Sequence, residues 1–214
     1  MEVAKQTTYP TSNSGELLAK LRQKFGDRIV AEQSTCDGIP TLWIDRQHLI
    51  ALLRALRDDI QPKFEMLFDI TAIDERLRVH RDDQPASEFT VVYHLMSFSS
   101  NCDIRIKVPL MDADLNLPSI IGLWPAANWY ERETWDMFGI NFEGHPNLYR
   151  IVLPPTWEGH ALRKEHPARA TEMEPFSLDD EQADVEQEAL LFKPEEWGMK
   201  RKSEDSEFMF LNLG

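Results

Sequence analysis

Two carboxylates and one imidazole are the side chains of this sequence best suited to chemistry. Glu133 and Asp136 stand three positions apart within residues 128–139, and His145 follows a short way downstream. On a helix, side chains three or four positions apart lie on the same face. Such a carboxylate pair can divide the roles of acid and base when its surroundings push the two pKa values apart. Together with His145, the same pair could contribute to a metal site.

A structural role for these carboxylates is the simpler alternative. Arginine or lysine occupies four nearby positions, Arg132, Arg150, Arg163 and Lys164. A carboxylate buried without a partner is costly to desolvate, so buried acids are normally paired with such groups. Arg132 precedes Asp136 by four positions, a spacing at which the two could pair directly. We therefore assign no catalytic residue and no metal ligand, and we predict a charge-paired structural helix.

Residues 128–139 carry the signals of a short helix with both ends specified. Asn128 is a favourable N-cap, and Glu131 three positions later can complete a capping box. Gly139 stands where a left-handed C-terminal cap is needed. A helical period predicts two covered sides, one with Trp129, Arg132, Glu133 and Asp136 and the other with Trp135 and Phe138.

The segment after this helix combines a constrained turn with an aromatic and cationic run. Pro146 restricts His145 to extended backbone, so the imidazole is held in a turn, where a hydrogen-bonded structural role is the commoner one. Residues 157–167 then bring together a tryptophan, a glycine and the adjacent cations Arg163 and Lys164. This mixture is typical of a contact patch, because Trp and Arg are favoured anchors of protein interfaces.

Hydrophobic periodicity predicts the elements that must position these residues. Helices are predicted at residues 15–25, 45–56, 118–123 and 128–139. Strands are predicted at residues 28–35, 40–45, 64–73, 89–98 and 102–110. In the last of these, apolar residues alternate with charged ones, which is typical of a sheet with one wet face. This order predicts a two-layer α+β domain, with a largely antiparallel or mixed sheet packed by helices.

Charge divides the chain into a body and an acidic extension. The 214-residue chain carries a net charge of −14, and residues 172–207 hold 13 acidic and 4 basic residues. We predict a flexible leader over 1–14, the α+β domain over 15–153 and an extended acidic arm over 154–205. The arm is too long for an ordinary loop of a compact domain. The basic footprint of a nucleic-acid-binding protein is absent, so nucleic acid is excluded as a partner.

The cysteine count and the hydropathy of the chain limit the classes of function further. Cys36 and Cys102 are too few for an iron–sulfur cluster with four thiolates, and no close Cys/His spacing suggests a structural zinc site. If the protein belongs to a redox machine, we expect other subunits to carry the electrons. No run approaches the roughly 20 apolar residues of a membrane span, so we expect contact with a membrane only through partners.

One ordered block of the sequence resembles a known family signature. The block consists of Glu131, Arg132, Glu133, Trp135, Asp136 and Gly139, then His145, Pro146 and Arg150, then Trp157, Arg163 and Lys164. It is similar to the signature of the 30-kDa subunit of respiratory complex I, which is also called the C subunit of bacterial NADH-quinone oxidoreductase. Residues 206–214 resemble the beginning of the 49-kDa subunit, the D subunit of the bacterial enzyme, which indicates the front of a fused C/D polypeptide.

The resemblance implies a non-catalytic scaffold in the peripheral arm of a proton-translocating NADH:quinone oxidoreductase. Members of the family carry no cofactor, so FMN and the iron–sulfur clusters are expected in partner subunits. The expected neighbours are the 49-kDa quinone-site subunit and iron–sulfur subunits of the arm. The complex would place the chain peripherally on the cytoplasmic face of the bacterial inner membrane. The signature residues would then be interface and fold-locking groups.

Two other functions stay open from the sequence. The first is the equivalent subunit of a membrane-bound hydrogenase or formate-linked complex, because that subunit shares much of the signature. The second is a stand-alone metallo-enzyme that uses Glu133, Asp136 and His145. The partners of the polypeptide would distinguish the first, and bound metal would distinguish the second.

Overall fold

The computed structural model describes residues 14–81 and 84–166, which fold into three α-helices and seven β-strands. The helices are α1 (Ser14–Phe25), α2 (Arg46–Arg54) and α3 (Ala127–Phe138). The strands are β1 (Ile29–Gln33), β2 (Thr41–Ile44), β3 (Met66–Asp74), β4 (Phe89–Ser97), β5 (Cys102–Leu110), β6 (Asn116–Pro118) and β7 (Asn141–Glu143). A short 3₁₀ turn follows α1 at Gly26–Arg28, and a wider helical turn extends α2 over Ala55–Asp59.

The main sheet contains five strands in the order β1-β2-β5-β4-β3. Neighbouring strands are antiparallel except for β2 and β5, which run parallel. Parallel neighbours need a long crossover, and here α2, β3 and β4 separate the two strands along the chain. The sheet is therefore mixed, and the predicted α+β class is confirmed. A second, two-stranded sheet pairs β6 with β7 in parallel.

The main sheet buries one face and leaves the other partly wet. On β5, Ile104, Ile106 and Val108 are buried, whereas the residues between them are half-exposed, as the alternation predicted. The buried face meets apolar side chains of the helices in one core, which includes Leu17, Leu21, Leu49, Leu52, Leu53 and Ala127. Full burial of a leucine-sized side chain stabilises the fold by roughly 1.5–3 kcal/mol, so this face holds the layers together.

Both predicted hairpins are present. The turn between β1 and β2 passes through Gly38 with φ 72°, a left-handed conformation that glycine adopts at little cost. The strands β4 and β5 pair without interruption from Ser97 and Cys102 to Phe89 and Leu110. Local turn chemistry therefore predicted this part of the sheet correctly.

The helix predicted at residues 118–123 is wrong. Pro118 ends strand β6, and a turn follows in which the Leu123 amide donates to the Ile120 carbonyl. The Ser119 hydroxyl and the Ile120 amide both donate to the carboxylate of Glu131 on α3. These tertiary hydrogen bonds stabilise a non-helical turn, and no local sequence pattern predicts them.

The capping box predicted at Asn128 is also wrong. Helix α3 begins at Ala127, and its N-cap, Ala126, makes no side-chain capping bond. The amide of Asn128 instead donates to the Pro125 carbonyl at 3.2 Å, so a backbone turn satisfies the first donors. Glu131 does not reach back to Asn128, because its carboxylate is bound to the turn after β6.

The predicted domain boundaries stay predictions. Residues 154–166 turn back onto the end of α3, whereas most of the predicted leader, the rest of the acidic arm and the segment 206–214 lie outside the described residues. Among the helices that the structure describes, none is long and apolar enough to cross a bilayer.

Candidate functional site at helix α3

The C-terminal end of α3 presents backbone carbonyls that the helix cannot satisfy by itself. Gly139 ends the helix in the left-handed conformation, with φ 77° and ψ 20°, and its amide donates to the Trp135 carbonyl at 2.8 Å. The predicted glycine cap is confirmed. The next three carbonyls, of Asp136, Met137 and Phe138, need partners from elsewhere in the chain.

Residues 160–163 supply those partners. The three contacts run from His160 Nδ1 to Asp136 O (2.9 Å), from Leu162 N to Met137 O (3.0 Å) and from Arg163 Nε to Phe138 O (2.7 Å). A cation at this position also interacts favourably with the negative end of the helix dipole. The downstream segment therefore caps α3 where the next turn of helix would otherwise be.

The Asp136 carboxylate is buried and its oxygens are occupied. One oxygen accepts a hydrogen bond from Arg150 Nη1 at 2.6 Å. The other accepts three from the consecutive amides of Ile151, Val152 and Leu153, at 3.0, 2.9 and 3.0 Å. Burial raises the pKa of Asp136, but the amides and Arg150 outweigh burial and hold that pKa below its usual range. Asp136 is thus an ionised structural anchor.

Arg150 joins α3 to the two loops that follow it. Its Nη1 binds Asp136, and its Nη2 donates to the carbonyls of Trp157 and Gly159 at 2.9 and 2.8 Å. The guanidinium also lies 5.6 Å from the centroid of the Trp135 ring. The pair predicted between Arg132 and Asp136 is wrong, because Arg150 and the backbone amides occupy the carboxylate.

A second anchor connects residues 160–165 to the main sheet. Asp74, buried at the end of β3, accepts hydrogen bonds from Arg76 Nε at 2.9 Å and from the backbone amide of Lys164 at 2.8 Å. Burial raises the pKa of Asp74, but the Arg76 side chain and the backbone amides of Lys164 and Arg76 outweigh burial and lower that pKa to about 2. Arg76 also pairs with Glu165, so the loop is bound to the sheet as well as to α3.

Glu131 is buried on the other half of α3, where it contacts no cation among the described residues. Ser119 Oγ and the Ile120 amide each donate to its carboxylate at 2.7 Å. Burial raises the pKa of Glu131 to about 7, because two neutral donors do not replace the water that it lost. The buried hydroxyl of Tyr93 has no hydrogen-bond partner among the described residues, and burial followed by the charge of Glu131 raises its pKa.

Arg132 lies between two aromatic rings on the same half of the helix. Its guanidinium carbon is 3.6 Å from the centroid of the Tyr149 ring and 4.9 Å from that of Trp129. Its Nε donates to the Tyr149 carbonyl at 3.3 Å. Arg132 is 4% exposed, and burial lowers its pKa. No carboxylate of the described residues forms an ion pair with it, which makes it unlike Arg150.

The three residues considered for catalysis or metal binding do not form a common site. Glu133 is exposed, whereas Asp136 is buried and saturated. His145 Nδ1 accepts from the Asn147 amide at 3.0 Å, so Nε2 carries the proton and donates to the Asn128 carbonyl at 3.2 Å. Both ring nitrogens are therefore occupied, and burial lowers the pKa of His145. Across the described residues, no cluster of three potential ligands could hold a metal ion.

The twelve signature residues divide by exposure. Three are buried, Glu131, Arg132 and Asp136. Six are half-buried, Trp135, Gly139, His145, Arg150, Trp157 and Arg163. Three are exposed, Glu133, Pro146 and Lys164. Most of the block therefore packs within the domain, and only a small part of it forms open surface.

Several residues of this site were missed by sequence reasoning. His160 caps the helix and stands edge-on to Trp135, with ring centroids 6.1 Å apart. Asp74 was also missed, because it binds the backbone amide of the signature residue Lys164 across 90 positions, and no local pattern connects the two. Tyr149 was missed as well. Its position directly before Arg150 of the signature was the one available sign that this aromatic residue belongs to the site.

Comparisons with known proteins agree with the resemblance seen in the sequence. Residues 42–172 match the family described as the 30-kDa subunit of respiratory-chain NADH dehydrogenase. A protein of Methylococcus capsulatus, named as the C/D subunit of NADH-quinone oxidoreductase, is 57% identical over 206 residues, which is 96% of this chain and 35% of that protein. One of the same name from Acidiphilium cryptum is 63% identical, over 92% of this chain and 33% of its own length. The chain spans about a third of the length of these relatives.

Solved structures show the same fold. A trypsin-resistant fragment of Nqo5 aligns with a TM-score of 0.51 and 28% identity, covering 63% of this chain and 98% of the fragment. A chain of the membrane-bound sulfane sulfur reductase, an archaeal respiratory membrane complex, aligns with a TM-score of 0.58 and 21% identity. It covers 79% of this chain and 98% of its own length, and at this identity the likeness concerns the fold alone.

Proposed function

The chain belongs to the 30-kDa subunit family of respiratory-chain NADH dehydrogenase, and from that membership we propose that it is the C portion of a proton-translocating NADH:quinone oxidoreductase. In this role it is a scaffold of the peripheral arm. It supports the quinone-site D portion to which similar proteins are joined. Its place is the cytoplasmic face of a bacterial inner membrane, held there through the complex.

The observation that carries the scaffold role is the saturation of Asp136. A carboxylate that accepts three backbone amides and one guanidinium has no free oxygen for a substrate, a proton or a metal. It fits a fold-locking role, because such charge-assisted bonds position backbone firmly. We infer that this chain contributes no catalytic residue, and that FMN and iron–sulfur clusters of partner subunits carry the electrons. The two cysteines of the sequence support that inference.

Purification of the tagged full-length polypeptide from its own membranes tests the proposal. The expected result is a complex that contains FMN and iron–sulfur clusters and reduces quinone with NADH. A partner set with a nickel site in place of FMN would identify the hydrogenase-type alternative. Isolation of the polypeptide without any partner would overturn the scaffold role.

A pair of variants separates scaffolding from catalysis. Asp136→Ala is expected to lower the amount of assembled complex, while the turnover per FMN of the complex that does assemble stays at the wild-type value. Glu133→Ala, an exposed acid on the same helix, is the matched control and should change neither quantity. Normal assembly of Asp136→Ala with lost turnover would show that the carboxylate takes part in the chemistry.

A further inference from the structure

Within the described residues, Arg132 is a cation that uses little of its hydrogen-bonding capacity. A guanidinium offers five N–H donors, and among the described residues only Nε has an acceptor, the Tyr149 carbonyl. The residue is nevertheless 4% exposed. Its two terminal nitrogens donate no hydrogen bond to any described residue. This side chain is thus almost entirely buried, and its terminal N–H groups have no acceptor among the described residues.

No acid in the described part of the chain pairs with this charge. Asp136, one helical turn further on, has both oxygens occupied by Arg150 and by three amides. A buried charge without a counter-charge is costly to desolvate, and a fold normally pairs it or replaces it. The stacking of Tyr149 and Trp129 on the guanidinium offsets part of that cost and fixes the plane in which the free N–H groups lie.

We propose that Trp129, Arg132 and Tyr149, the aromatic–arginine stack, form a docking site for a carboxylate side chain of the D-type portion that accompanies this domain in its relatives. The inference rests on the proposed function and deepens it by assigning the surface and the chemistry of the partner. A planar guanidinium with two free nitrogens matches a carboxylate in a bidentate pair.

The surroundings of the stack favour a protein carboxylate as the occupant. Trp129 is 56% exposed, so an apolar ring lies beside the charge, and a free anion would not cover it. Tryptophan, tyrosine and arginine are the residue types that dominate the binding energy of protein interfaces. The matched relatives are about three times as long as this chain, so a joined partner segment is present at high effective concentration.

The first test compares variants within the full-length complex. Arg132→Gln removes the charge and keeps a polar side chain of similar length, and Trp129→Ala removes the exposed ring. Each is expected to weaken the contact at least about 30-fold, the loss typical of an interface hot spot, and so to lower the yield of assembled complex. Phe98→Ala is the matched control, because Phe98 is an equally exposed aromatic, at 63%, on the β4–β5 turn. It should assemble at the wild-type yield.

Urea unfolding of each variant chain distinguishes the loss of a partner contact from misfolding of the domain. Arg132→Gln should unfold at a urea midpoint close to that of the wild type, because the loss of one weak hydrogen bond and two aromatic contacts is offset by the removal of a buried charge that has no counter-charge in the described residues. Wild-type yield from both Arg132→Gln and Trp129→Ala would overturn the docking site and leave the proposed function standing. Failure of the wild-type chain to co-purify with any oxidoreductase would overturn the proposed function instead.

A photo-cross-linking amino acid at position 133 identifies the occupant directly. Position 133 is exposed and adjacent to Arg132, and it is not part of the aromatic–arginine stack. The expected product joins this position to a segment of the D-type portion that carries an aspartate or glutamate within a few residues. Products confined to residues 167–214 of this chain or to lipid, or no product at all, would overturn the proposal.

Discussion

Two arginines contact helix α3 or belong to it, and their charges have different kinds of partners: Arg132 lies within the helix, and Arg150 lies in the segment that follows it. At the C-terminal end, Arg150 binds the Asp136 carboxylate and the carbonyls of Trp157 and Gly159. Arg132, on the N-terminal half of α3, is more deeply buried than Arg150, and among the described residues it contacts two aromatic rings and one carbonyl. Both residues belong to the same signature, and the sequence alone does not show that their environments differ.

The difference shows how to divide a signature into fold and interface. A charged group whose partners all lie within the domain stabilises that domain, and its loss is expected to appear in the free energy of unfolding. A charged group that the domain leaves unpaired contributes little to folding, and its loss is expected to appear in assembly. The following predictions test this division, from the largest expected effect to the smallest.

Removal of the Asp136 carboxylate should cause the largest loss of stability. Asp136→Ala leaves Arg150 and three backbone amides without their acceptor, and we expect the free energy of unfolding to fall by about 3–5 kcal/mol. Urea denaturation of the chain measures the change. Glu133→Ala, exposed on the same helix, should change it by less than about 0.5 kcal/mol. Equal effects of the two substitutions would contradict a saturated anchor at Asp136.

The buried Glu131 should give the wild type a pH dependence that Glu131→Gln lacks. The ordinary pKa of this carboxyl is 4.5 and its pKa in the folded protein is about 7, so the folded state holds more protons between these values. The free energy of unfolding should therefore fall by roughly 3 kcal/mol as the pH rises from 4.5 to 7, and should not fall further through this group above 7.

Histidine and other groups titrate in both proteins, so the difference between their pH profiles isolates Glu131. The two curves should diverge between pH 4.5 and 7 and run parallel above pH 7. Parallel curves across the whole range would show that Glu131 is ionised at its ordinary pKa and is hydrated in the folded state.

Substitution of the helix-ending glycine should disturb the C-terminal end of α3 without removing a charged group. At φ 77°, an added Cβ would lie 2.6 Å from Cδ2 and Nε2 of His160. Gly139→Ala is therefore expected to lower the free energy of unfolding by at least about 2 kcal/mol, through left-handed backbone strain and displacement of the capping imidazole. Gly122→Ala, with no neighbour within 4 Å of its Cβ, is the control for adding a methyl group.

The adjacent cations Arg163 and Lys164 should differ in their effect on stability, because only the side chain of Arg163 has partners within the domain. Arg163 donates to the Phe138 carbonyl and stacks on Phe89, so Arg163→Ala is expected to cost about 1–2 kcal/mol of stability. The side chain of Lys164 is exposed, and only its backbone amide binds Asp74. Lys164→Ala should therefore change the urea midpoint very little, and an effect equal to that of Arg163→Ala would contradict the assignment.

Much of the fold was readable from the sequence because its signals are local. The alternation along β5, the glycine turn between β1 and β2 and the left-handed cap at Gly139 each depend on a few consecutive residues. The segment at 118–123 and the start of α3 were misread for the opposite reason. There, a carboxylate on one element binds the backbone of another, and this tertiary contact replaced the local helix and cap signals.

By itself, the sequence determined the α+β class, the glycine-capped helix and the membership of a respiratory subunit family, since these follow from periodicity, backbone freedom and an ordered motif. Only the tertiary structure decided which charges pair. Arg150 rather than Arg132 reached Asp136, and Lys164 met Asp74 across 90 positions. Burial and hydrogen-bond geometry set those choices, because a charge inside the fold binds whichever partner the packing brings within about 3 Å.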